Sequence, residues 1–237
     1  MNLIAIGGGE LRERETFEID TFIRELSGKA KPNVLFIPTA SYDAVGYCEL
    51  VADVYGKELG CIVNDLRLIK SQPNKNEIED KIFNADIIYV GGGNTKNMLK
   101  VWKQNNLNAL LANVAESGTI LSGLSAGAVC WFDQGHSDYE FFEDEKNWQY
   151  RLLNCLGYKQ GVYCPHLNED KRLSSFKAVL EQQNLNGIGC DNNAAIWYQD
   201  HNATVITSSS EATVKVIKTE LQQTSCKTYT TGDNIIF

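Results

Sequence analysis

This chain has little of what membranes, metals and nucleic acids call for. No apolar run approaches the ~20 residues of a bilayer-spanning helix. The opening residues Met1-Asn2-Leu3-Ile4-Ala5-Ile6-Gly7 carry no basic stretch and no small-residue cleavage site, so they read as a strand, not a leader. Proline is scarce, with 4 in 237 residues, and there are only 3 histidines. The 7 cysteines are scattered singly and form no C-x-x-C pair, which argues against a disulfide framework and for reduced thiols in the cytoplasm. Cys164 and His166 are too isolated a C-x-H pair to predict zinc. The balance of charge is acidic, formally -8, which would repel the phosphates of a nucleic acid.

What is present is a regular alternation. Short apolar runs at Leu3–Ile6, Val34–Pro38, Ile62–Ile69, Asp86–Val90 and Thr119–Ser122 predict strands. Between them, helical periodicity covers Glu18–Leu26, Ala44–Leu59, Glu77–Phe83 and Thr95–Ala115. Such alternation predicts an α/β fold, a mostly parallel sheet with helices on both faces. Beyond about residue 185 the runs at Gly187–Cys190, Ala194–Tyr198, Thr204–Ile206, Thr213–Ile217 and Lys227–Thr230 predict a C-terminal antiparallel extension of that sheet. With no linker or repeat in view, the expectation is a single domain over residues 1–237.

Ligands of open α/β sheets bind beyond the carboxyl ends of the strands. That rule selects Gly7–Gly9, Thr39–Tyr42, Gly91–Thr95 and Gly123–Gly127. The last of these, Gly123-Leu-Ser125-Ala-Gly127, fits G-x-S-x-G between an apolar strand and a helix, the context of a nucleophile elbow. A glycine-rich turn with an incidental serine is the alternative. In Gly91-Gly-Gly-Asn-Thr95, Lys96 stands where a dinucleotide fingerprint needs its third glycine, and no Walker lysine follows. A loop offering backbone N–H groups to an oxyanion opposite Ser125 remains. Gly7-Gly-Gly-Glu10 fails the dinucleotide spacing in the same way, and there close packing against the site competes with direct contact.

A nucleophilic serine needs a base. His201 falls in a surface turn and His136 in an acidic, loop-like stretch, whereas His166 follows Tyr163-Cys-Pro165, an extended run that ends at a proline. His166 is the candidate base.

Taken together and in this order, Gly91-Gly-Gly-Asn-Thr95, Gly123-x-Ser125-Ala-Gly-Ala128 and Pro165-His166 resemble the peptidase E family, over about residues 1–200. That family comprises aspartyl dipeptidase- and cyanophycinase-like serine hydrolases with a class I glutamine amidotransferase-like fold. The resemblance implies Ser125 as nucleophile, His166 as base, and an oxyanion hole from the amides of Gly92, Gly93 and Ala126. It also implies no metal or organic cofactor, a small peptide substrate and a homodimer. For the third catalytic member it offers an acid after the serine, Asp138 or Glu140, or a residue of the Asp191-Asn192-Asn193 segment, where Asn192 replaces the family's Glu; Asp138 is favoured. Asn94 and Arg172 fall at substrate-binding positions. The acidic run Asp133, Asp138, Glu140, Glu143, Asp144 and Glu145 would repel an acidic side chain, so a neutral or basic residue is expected to be tolerated in the substrate. An α/β-hydrolase esterase is one alternative, although the short interval from Ser125 to Asp138 leaves little room for that fold. A catalytically silent binding protein, suggested by Asn192, is the other.

Overall fold

The computed structural model describes residues 1–235, so the last two positions of the chain lie outside the description. Its strands are β1 (Asn2–Ile6), β2 (Asn33–Ile37), β3 (Ile62–Asp65), β4 (Ile87–Val90), β5 (Ile120–Leu124), β6 (Phe132–Ser137), β7 (Arg151–Asn154), β8 (Lys159–Cys164), β9 (Gly187–Cys190), β10 (Ala194–Gln199), β11 (Asn202–Thr207), β12 (Val214–Glu220) and β13 (Gln223–Tyr229). The helices are α1 (Phe17–Leu26), α2 (Val45–Val51), α3 (Lys75–Phe83), α4 (Thr95–Gln104), α5 (Leu107–Glu116), α6 (Ala126–Val129) and α7 (Arg172–Gln183). The predicted α/β class is present, but the strands form two sheets where one was expected. A seven-stranded sheet runs β11-β10-β1-β5-β4-β2-β3, and a six-stranded sheet runs β13-β12-β9-β8-β6-β7. The C-terminal strands divide between them: β10 and β11 extend the first sheet antiparallel to β1, while β12 and β13 extend the second antiparallel to β9.

The near-continuous apolar strands are explained by burial on both faces. Leu3 and Ala5 of β1, Leu35 and Ile37 of β2, and Ile88 and Val90 of β4 enter one core. Their alternates Ile4, Ile6, Val34, Phe36, Ile87 and Tyr89 enter the opposite one. Side chains alternate across a strand, so a strand covered on both sides keeps few polar positions. Each of the Leu, Ile, Val and Phe side chains among them contributes roughly 1.5–3 kcal/mol on burial. The first core continues into the second sheet through Tyr163, Ile188 and Val214, joining the two sheets through shared apolar packing.

Two helices depart from the periodicity. The run read as one helix over residues 95–115 breaks at Asn105 and Asn106, where Asn106 takes φ 56°. That left-handed conformation is tolerated by asparagine better than by most side chains. The run over residues 44–59 begins as α2 and widens into a π-helix at Ala52–Glu58.

Beneath the first sheet, Asp20 of α1 is fully buried, with Tyr55 Oη donating to Oδ1 at 2.8 Å and Thr16 Oγ1 donating to Oδ2 at 2.8 Å. Burial pushes this carboxyl up to about 6, against the pull of the two hydroxyl hydrogen bonds. The native state therefore holds a proton that the unfolded chain, near 3.9, has already released. Stability attributable to Asp20 is greatest below about pH 4, falls as pH rises through 6, and stays reduced above it. Asp20→Asn is expected to unfold at higher denaturant near pH 7–8, a gain on the order of 2–3 kcal/mol, with little gain at pH 4. Urea unfolding at both pH values checks this; a variant less stable than the parent at pH 8 would contradict it.

Candidate active site

The strand registers set the position of the site. Ile6 of β1 pairs with Leu124 of β5, Val90 of β4 with Gly123, and Ile37 of β2 with Val90. The loops after these strands therefore leave the sheet side by side. Ser125 immediately follows β5 with φ 53° and ψ -112°, an unfavourable backbone for a residue with a Cβ, costing about 1–3 kcal/mol. Its N–H is tied to Ile6 O at 3.0 Å, while its own carbonyl accepts from the N–H groups of Ala128 and Val129 at 2.9 Å. The glycines of G-x-S-x-G are required by close approach. A Cβ on Gly123 would lie 2.1 Å from Gly127 O, and one on Gly127 would lie 2.2 Å from Val90 O. Only bare Cα atoms let α6 start this close to β4 and β5, and that start holds the strained turn.

The imidazole comes from the other sheet. His166 follows β8 and Asn192 follows β9, whose strand ends are aligned by the pairing of Cys164 with Gly189. His166 Nε2 lies 2.8 Å from Ser125 Oγ, and Nδ1 lies 2.6 Å from Asn192 Oδ1. The His166 backbone is fixed by its N–H to Gly7 O at 3.2 Å, and the Asn192 N–H donates to Asn168 Oδ1 at 2.9 Å. The loop after β1 acts as the backing of this pair: a Cβ on Gly8 would lie 2.1 Å from Asn192 Oδ1 and 2.3 Å from His166 Nδ1. This is the close packing expected as one reading of the loop, and its Gly9 and Glu10 also line the cavity above the pair.

A cavity of about 530 Å³ opens over Ser125 and His166. Leu11, Tyr47, Leu50, Leu124 and Phe142 supply apolar walls, Glu10, Arg12 and Asp138 supply charge, and Gly92 and Gly93 supply backbone. Gly92 sits against the serine, since a Cβ there would lie 3.5 Å from Ser125 Cβ. Among the described residues neither the Gly93 nor the Ala126 N–H has a backbone acceptor. The segment carrying Phe142 is anchored to α4 by the Lys96–Glu143 ion pair at 2.8 Å, with the same ammonium 4.3 Å from the Tyr139 ring centroid.

Other candidates stand elsewhere. Asp138, expected beside the base, lines the cavity and faces Arg172 Nη1 at 3.6 Å; the group bonded to Nδ1 is Asn192. The segment after β5 turns into β6 and carries Asp138 toward α7 instead. Glu140 receives Arg151 Nε at 2.7 Å, and Asp191 Oδ2 receives the Thr213 N–H and hydroxyl. Arg172 is buried, with Nη2 donating to His136 O at 2.7 Å and the guanidinium 4.3 Å from the Tyr150 ring centroid. Asn94 is the N-cap of α4, accepting the Asn97 N–H at 2.9 Å, and is not among the cavity walls. His136, read as a loop residue, is buried in β6, and burial first, then the Arg172 charge, pushes its imidazole down to about 3. Cys164 Sγ contacts His136 Nδ1 and Arg172 Nε, not His166. Among the described residues no cluster of three or more His, Cys, Asp or Glu side chains is placed for a metal ion. Residues not anticipated are Glu10, Arg12, Tyr47 and Phe142 on the cavity walls, and Glu169, whose Oε1 lies 3.4 Å from His166 Nδ1.

A serine on a tight strand–helix turn, bonded to an imidazole at the mouth of an α/β sheet, defines the serine-hydrolase class of site. The family model for Peptidase family S51 matches residues 3–206, and the chain belongs to that family of serine-type peptidases. The uncharacterized peptidase YgaJ of Bacillus subtilis (strain 168) is 32% identical over 199 residues, spanning 83% of this chain and 82% of that protein. The uncharacterized peptidase Lmo0363 of Listeria monocytogenes (serovar 1/2a, strain EGD-e) is 34% identical over 109 residues, 46% of this chain and 51% of that protein. The fold is shared with the crystal structure of a peptidase from an acI-B1 Actinobacterium, at a TM-score of 0.76 and 21% identity over 100% of this chain and 96% of the other. It is also shared with a putative peptidase E protein from Listeria monocytogenes EGD-e, at 0.65 and 23% identity over 88% and 98%. Among the described residues no helix is long and apolar enough to cross a membrane.

Proposed function

We propose that this chain hydrolyses short peptides through an acyl-enzyme on Ser125, with His166 as general base. The observation that carries the reading is the 2.8 Å approach of His166 Nε2 to the hydroxyl of a serine on a strained turn. With Nδ1 protonated and donating to Asn192 Oδ1, Nε2 presents its lone pair to Ser125. As Oγ bonds to the scissile carbonyl carbon, its proton passes to Nε2, and the carbonyl oxygen becomes an oxyanion. The Gly93 and Ala126 N–H groups, which have no backbone acceptor among the described residues, are suited to hold that charge, whereas the Gly92 N–H is directed at Tyr47 Oη at 3.5 Å. When the C–N bond breaks, Nε2 returns the proton to the leaving amine. Water then repeats the sequence and frees Ser125. No step calls on a cofactor.

The cavity supports a small substrate. Its volume suits a molecule of a few residues, its apolar walls suit a neutral side chain, and the presence of Arg12 with Glu10 and Asp138 on its walls suits a peptide bearing both terminal charges. A panel of dipeptides differing at the N-terminal residue is expected to show hydrolysis of neutral or basic members. Hydrolysis confined to Asp-X would overturn the substrate reading, and inertness to every short peptide, without labelling of Ser125 by a fluorophosphonate, would overturn the peptidase reading.

A further inference from the structure

We propose that Glu169 is a positioning residue that supplies, beside Asn192, the negative charge which the imidazole of His166 needs during turnover. The proposal rests on the reading of Ser125 and His166 given above. In serine hydrolases the group on the far nitrogen does two things: it fixes the ring orientation and tautomer, and it stabilises the imidazolium. Asn192 can do the first through its 2.6 Å bond to Nδ1 but carries no charge for the second.

Glu169 is placed for the second. The chain turns sharply after β8, with His166 at φ 52°, and the Glu169 N–H closes the turn on His166 O at 3.0 Å. This folds residue 169 back over residue 166 and sets Oε1 3.4 Å from Nδ1, the same nitrogen that Asn192 accepts from. The Glu169 side chain is half exposed, so water weakens its field without abolishing it. The other groups around the ring are Ser125 on Nε2 and, among the walls of the same cavity, Glu10, Arg12 and Asp138, the last of which already faces Arg172. Among the carboxylates only Glu169 is within 4 Å of the imidazole nitrogens in the described residues.

Glu169→Gln keeps the shape and removes the charge. Its half-exposed position predicts an intact fold, checked by a thermal scan. The expected result is a fall in kcat of about 10-fold with KM nearly unchanged, and an acid limb of the kcat/KM profile moved to lower pH. Glu169→Asp is expected to retain an intermediate rate, and adding Asn192→Asp to Glu169→Gln, which brings a carboxylate directly onto Nδ1, is expected to restore most of the loss. Wild-type kcat and an unmoved acid limb in Glu169→Gln, alongside an inactive Ser125→Ala, would overturn this inference and leave the peptidase reading standing. Full activity in both variants would instead overturn the peptidase reading on which it rests. Should Glu169→Gln not fold, Glu169→Ala takes its place: a fall in kcat with the acid limb moved to lower pH supports the inference, and parental kcat with an unmoved acid limb overturns it.

Discussion

Ser125→Ala is expected to lower kcat/KM on short peptides by about 10³–10⁶-fold while leaving the fold unchanged. Among the described residues, the hydroxyl bonded to His166 Nε2 is that of Ser125, and the proposed reaction begins at that oxygen. What survives the substitution is whatever the cavity and the backbone N–H groups contribute by holding substrate and oxyanion, typically 10³–10⁴ over the uncatalysed reaction. The methyl side chain of alanine occupies the same space as the serine Cβ, and the turn is held by Ile6 O, by the carbonyl bonds of residue 125 and by the two flanking glycines. A thermal midpoint close to the parent's is therefore part of the expected result. A Ser125→Ala protein hydrolysing peptides at parental rates would remove the serine from the mechanism.

Gly8→Ala is the second large effect, and it acts without touching a reacting group. The added Cβ would overlap Asn192 Oδ1 and the His166 ring, both of them side-chain atoms free to move aside. Stability should then change little, but the ring can escape only by leaving its 2.6 Å and 2.8 Å partners. Misplacement by about 1 Å costs on the order of 10²-fold in rate. The expected outcome is a loss of about that size in kcat, with a modest shift in thermal midpoint. Parental kcat with the fold retained would show that the loop after β1 does not back the imidazole.

Much of this architecture could be read from the residues because each signal had a local cause. Strand β1 alternates between two cores and so had to be apolar from Leu3 to Ile6. The sequence Gly123-x-Ser125-x-Gly127 was legible because α6 can approach β4 and β5 only over glycine. His166 stood out through the extended run before it, which is β8. The break at Asn106 was hidden because residues 95–115 keep a helical period on both sides of it. The second sheet was missed for a related reason. The segment containing β6 and β7 is rich in acids, and the pairing of β6 with β8 is set at a distance in the chain, not by its own pattern. Asp138 is favoured beside the base because the family resemblance offers an acid in the segment after the serine, whereas β6 carries the chain away to Arg172. Glu169 gave one usable signal, an acid three residues after the histidine in a turn; that the turn folds it back onto Nδ1 depends on the positive φ of His166.

Ser125 ends a strand of one sheet, while its two imidazole-side partners belong to strand ends of the other. During synthesis the serine thus leaves the ribosome 41 residues ahead of the histidine, and Asn192 follows later still. On this reading a half-made chain, or one whose second sheet has come apart, cannot cut its neighbours. Competence switches on only when the two halves meet, a safeguard that needs no propeptide or inhibitor.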